Sequence, residues 1–174
     1  LVTAKGINVT TKLELAKLSD LSDLVAEELP AFGPLTLSGN IIDFDGGYSV
    51  NALDVKTGVV GVNDANIELK GKISDLLAAK GLDINFNLAV NTLTTLSPLV
   101  GKDLPALSNV KLSGNIIDDN EAYAIKAMKL QADLADITNA KIGVTGQVGD
   151  LLNVKGLDLI VDLDVEKLSA LSTF

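Results

Sequence analysis

From Leu82 to Val90 the chain alternates without a break. Leu82, Ile84, Phe86, Leu88 and Val90 are apolar, and Asp83, Asn85, Asn87 and Ala89 stand between them. A period of two sends successive side chains to opposite faces of an extended chain, so the run predicts a strand with one apolar face. The same rhythm occupies Ile7, Val9, Leu13 and Leu15, and returns at Leu157, Leu159, Val161, Leu163 and Val165.

After each of the first two strands the period changes. Leu18, Leu21, Leu24, Val25 and Leu29 fall on one side of a helix, with Ser19, Asp20, Ser22, Asp23, Glu27 and Glu28 on the other, solvated side. Leu93, Leu96, Leu99 and Val100 repeat the spacing. Leu29-Pro30 and Leu104-Pro105 are read as the stops, because a residue before proline avoids the α region. Each predicted helix is amphipathic and roughly 9–12 residues long, too short to be stable alone in water. Alternation then resumes through Leu35, Leu37, Gly39 and Ile41, and through Val110, Leu112, Gly114 and Ile116. A glycine inside a strand marks a bend, a bulge or a close approach. Turn residues follow at Asp43–Gly47 and Asp118–Glu121. A third strand carries Tyr48, Val50 and Ala52, or Tyr123, Ile125 and Ala127. A fourth carries Ala65, Ile67, Leu69, Gly71 and Ile73, or Ala140, Ile142, Val144, Gly146 and Val148. Links this short predict an antiparallel meander.

These segments are copies. Leu37–Ile42 and Leu112–Ile117 both read LSGNII, 75 residues apart, and Leu29-Pro30-Ala31 returns at the same offset as Leu104-Pro105-Ala106. Lys5-Gly6 recurs as Lys80-Gly81 and Lys155-Gly156. The expected organisation is one repeat-built domain over 1–174, with a partial unit 1–79, a full unit 80–154 and a partial unit 155–174. Each unit is a strand, a short helix and three strands, and units of this kind stack on one another. A chain that starts and stops inside a unit is expected to be a segment of a longer protein.

Composition narrows the chemistry. The chain has no Cys, His, Trp or Arg, and all 14 positive charges are lysines. Without His the usual acid–base group is missing, and without Cys there is no thiolate nucleophile or thiolate metal ligand. Arginine clamps for phosphate are absent too. A net charge of −9 and 3% aromatic residues give neither the basic footprint nor the stacking rings of a nucleic-acid binder. Asp43, Asp45 and Gly47 superficially resemble a calcium loop, but the glycine and the closing acid fall at the wrong positions, so a hairpin turn is expected there. No catalytic residue, metal or cofactor is expected, and the chain is read as not an enzyme.

The pattern also creates a problem of cover. Four strands span close to 19 Å at ~4.8 Å each, whereas one short helix covers about 10 Å. Soluble proteins rarely leave the excess apolar surface wet. The sheet can close on itself, it can curl into an open trough that meets something apolar, or another part or chain can cover it.

The order of signals is Lys-Gly-Leu-Asp at 80–83 and 155–158, a strand, a helix, Leu-Pro, a Leu-Ser-Gly strand, a tyrosine strand, and a glycine strand ending near Asp-Leu-Leu. This order resembles the repeat of the AsmA-like family. Those are TamB-related envelope proteins of diderm bacteria, anchored in the inner membrane, within the wider group of bridge-like lipid transfer proteins. The resemblance implies a periplasmic β-groove that carries phospholipids or serves outer-membrane assembly, with acyl chains as the partner and membrane contact made by parts outside this segment. It places Leu82, Ile84, Phe86, Leu88, Val110, Leu112, Ile116, Ile142 and Val144 on the lining, provided that strand parity holds. The alternative reading is a structural or adhesive repeat module, in which the same residues pack a closed core and bind nothing.

Overall fold

The computed structural model describes residues 6–22, 29–30, 32–119, 122–135, 137 and 139–166. These form a single sheet of nine strands, β1 (Asn8–Leu15), β2 (Phe32–Phe44), β3 (Gly47–Val59), β4 (Val62–Asp75), β5 (Lys80–Thr92), β6 (Leu107–Asp119), β7 (Ala122–Leu134), β8 (Ala140–Asp150) and β9 (Lys155–Val165). Spatial order equals chain order, and every neighbouring pair is antiparallel. The protein is therefore mainly β, an antiparallel meander, and the sheet is not closed, since β1 and β9 form its two edges. β2 and β6 begin and end 75 positions apart, as do β3 and β7.

Both LSGNII stretches lie inside strands, in β2 and β6. The turn after β2 is only Asp45-Gly46, because Asp43 and Phe44 still pair with Tyr48 and Gly47. Residues 120 and 121 of the matching turn lie outside the described residues.

Two expectations change. The helix after β5 is a 3-10 turn, Leu93–Leu96, followed by one α turn, Ser97–Val100. It stops at Gly101, which takes φ 64° and donates its N–H to the Ser97 carbonyl at 3.0 Å. Glycine at that left-handed position ends a helix before the downstream proline can. Leu96 is buried, but Leu99 and Val100 are 40% and 54% exposed, so half of the expected apolar stripe faces water. In the first copy a 3-10 turn covers Leu18–Leu21, and residues 23–28 of the expected helix lie outside the described residues.

The second change is in the third strand. Ala52 and Ala127 do not continue the alternation. Both have positive φ, 51° and 49°, inside bulges where two residues of β3 or β7 face one of β2 or β6, Ala52 and Leu53 opposite Gly39 and Ala127 and Met128 opposite Gly114. An extra residue resets parity, and the apolar series passes to Leu53 and Val55, and to Met128 and Leu130.

The tightest packing is at one end of the sheet. Val59, Ala65, Val90, Leu96, Leu107, Val110 and Ala132 form a buried cluster where the 93–106 crossing folds over the strand ends. Val90 and Val110 are each 2% exposed. Among the described residues no polar or charged side chain is buried.

Candidate functional site

Paired residues on adjacent antiparallel strands project to the same face, so the register identifies what each face carries. One row of partners crosses the whole sheet: Leu15, Leu35, Thr57, Ile67, Leu88, Leu112, Leu130, Val144 and Val161. A second row runs through Ile84, Ile116, Ile125, Val148 and Leu157. A single threonine interrupts the first. The opposite face carries Thr36, Lys56, Glu68, Asn87, Lys111, Gln131, Gly143 and Asp162. The sheet thus has one apolar face across its full width.

All nine residues singled out in the sequence lie on that face, though not in equivalent surroundings. Val110 is fully buried at the capped end, and Ile84 is 9% exposed. Leu82, Phe86, Leu88, Leu112, Ile116, Ile142 and Val144 are half-buried, and Ile142 leans on the capped cluster. The alternation also held Ile67 and Leu69 from the start. Leu53, Met128 and Leu130 were hidden from it, because the bulges switch parity just before them.

Glycines occupy the same face beside the bulges. A Cβ on Gly39 would lie 3.1 Å from Val50 Cγ1, and one on Gly114 would lie 2.9 Å from Phe86 Cε1 and 3.0 Å from Ile125 Cγ2. On Gly71 and Gly146 it would run into the carbonyl oxygens of Asp83 and Asp158. The interior glycines therefore mark close approach, between strand and strand or between strand and ring.

The other repeated letters have local reasons. Gly81, at φ 66°, donates its N–H to Asp118 Oδ2 at 2.8 Å, and Leu82 donates to Asp118 Oδ1 at 2.7 Å. Gly6 and Asp43 make the same contact at 2.9 Å. Lys-Gly and the aspartate that ends each LSGNII segment are thus two halves of one clasp. Those backbone donors, Gly81 first, hold the Asp118 carboxyl below its ordinary value, with Lys80 adding to the effect and burial opposing it. Tyr123 accepts a hydrogen bond at its carbonyl from Leu151 N–H at 2.7 Å, and Tyr48 accepts one from Leu76 at 2.7 Å, which fixes the Asp-Leu-Leu segment. Asp150 is also lowered, chiefly by the Asn153 side chain beside it.

On the polar face a shallow cleft of about 430 Å³ is lined by Asn66, Glu68, Asn87, Lys111, Lys129 and Gln131, among others. No group of three or more acidic side chains that could hold a metal occurs among the described residues. Among the same residues, no helix is long and apolar enough to cross a membrane. Comparison with protein-family models, curated proteins and solved structures finds no match.

Proposed function

We propose that this chain is a segment of an AsmA-like envelope protein, built of 75-residue units, whose apolar sheet face holds phospholipid acyl chains. The observation that carries the reading is the continuous apolar face of an open sheet. Seven of the nine named residues on it keep part of their surface free, and no second sheet lies over them among the described residues.

The mechanism is passive. Acyl chains lie along the rows through Leu88, Leu112 and Val144 while head groups stay in water. Burial contributes ~0.8 kcal/mol per CH₂, so one chain is held without a specific contact, and selectivity for head groups is low. No catalysis is involved. The parent protein is placed in the periplasm, anchored in the inner membrane by parts outside this segment, and serves phospholipid transport or outer-membrane assembly.

A second reading, a structural or adhesive module, draws on the capped end, where Val90 and Val110 pack as an ordinary core. Mass spectrometry of an organic extract of the folded chain separates the two. Phospholipid recovered with the wild type, and lost with Phe86→Glu shown by circular dichroism to be folded, supports the groove. A lipid-free chain after incubation with liposomes, or a Phe86→Glu variant that unfolds, supports the module.

A further inference from the structure

We propose that the free side of β9 is a binding site for one more strand of a defined type: an extended segment with the Leu-Ser-Gly-Asn-Ile-Ile pattern closed by an aspartate. The inference concerns the sheet edge and is independent of any lipid.

β9 reproduces β5. Both open with Lys-Gly-Leu-Asp, and Gly81 and Gly156 share the same left-handed backbone, φ 66° and 65°. Each pairs with the preceding strand in the same register: Gly71 with Ile84 and Gly146 with Leu159, Asp75 with Lys80 and Asp150 with Lys155. The far side of β5 is taken by β6, whose Asp118 accepts the N–H groups of Gly81 and Leu82. β1 stands to β2 in the same relation, through Gly6 and Asp43. In both instances the strand opened by Lys-Gly takes an LSGNII-type strand with its aspartate on that glycine.

The third instance has no such strand among the described residues. Leu157, Val161 and Leu163 of β9 are 54%, 61% and 50% exposed, whereas their counterparts Leu82, Phe86 and Leu88 are half-buried. An edge strand is a template for another strand. The β5–β6 register transferred to β9 sets the occupant's glycine opposite Val161, its first isoleucine opposite Leu159 and its aspartate at the N–H groups of Gly156 and Leu157. The carboxylate is the specific element, because a charge-assisted bond to two backbone donors is stronger than the neutral ladder bonds beside it.

A labelled peptide of residues 107–119, LSNVKLSGNIIDD, is the probe. Titrated with the full chain, it is expected to bind saturably at one site and to slow amide exchange in 155–165. The same peptide with Asp118→Ala should bind roughly tenfold more weakly, and a scrambled peptide should not bind. Equal affinity of the Asp118→Ala peptide, protection at β1 or at the apolar face instead of β9, or no binding at all would overturn the proposal. So would a chain that self-associates through β9, since a second copy would then be the occupant.

Discussion

The ring of Phe86 lies against the backbone of Gly114, close enough that a Cβ there would sit 2.9 Å from Cε1 and 3.1 Å from Cζ. Ring and glycine face each other across the β5–β6 ladder. A ring can tilt, and a carbonyl in a paired strand cannot. Gly114→Ala should therefore cost about 1 kcal/mol. Gly71→Ala and Gly146→Ala meet backbone oxygen and should cost roughly 3 kcal/mol or prevent folding. Denaturant melts of the three variants give the order. Phe86→Ala should relieve much of the Gly114→Ala penalty, a coupling that a double-mutant cycle would read.

The clasp at Asp118 makes stability depend on pH with a defined sign. Its carboxyl is lowered in the folded chain, so the stabilisation is present above the ordinary aspartate value near 3.8 and is lost as pH falls through the lower folded value. Asp118→Ala should cost roughly 1 kcal/mol at neutral pH, at the low end for a charged hydrogen bond because the carboxylate meets solvent. Wild type and variant should converge below the folded value. Thermal melts from pH 7 down to the acid limit measure the difference, and a gap that persists at the lowest pH would exclude the clasp as its source.

Two neighbours on β6 separate core from lining. Val110→Ala removes methyl groups from the capped cluster and should cost roughly 2 kcal/mol. Leu112→Ala removes more carbon from a half-exposed site yet should cost only about 1 kcal/mol. With lipid bound, the order of effects on retention should reverse, and lipid stoichiometry after purification would show it.

Leu99 and Val100 should tolerate charge. Leu99→Lys and Val100→Lys are expected to shift stability by no more than about 0.5 kcal/mol and to reduce self-association, as followed by light scattering. Leu96→Lys, one turn of chain away but buried, should unfold the capped end.

Strand identity was legible because a period of two survives any solvent environment. Leu82 through Val90 and Ala140 through Val148 sit where alternation puts them. Two things were not legible. A bulge adds one residue, and nothing in Asn51-Ala52 or Lys126-Ala127 announces it in the letters, so Leu53 and Met128 were assigned to no face. The helix failed for a different reason. Leu96, Leu99 and Val100 have helical spacing, but Pro98 lies within the run and Gly101 directly after it, and the helix is confined to one turn of each kind. The nine residues named from the alternation share one face because β5, β6 and β8 carry their bulge-free stretches there. The edge site was written in the chain as well, in the second Lys-Gly-Leu-Asp, and its meaning came only from the pairing of the first.

Every strand in this sheet bonds only to the strands before and after it in the chain. No segment waits for a distant partner, so the entropy of closing long loops is small. A chain emerging from one end, from a ribosome or through a pore, can add strands in order onto an edge that is already formed. Assembly is then a zipper with one growing tip, and loss of structure should run backward from the same tip, strand by strand.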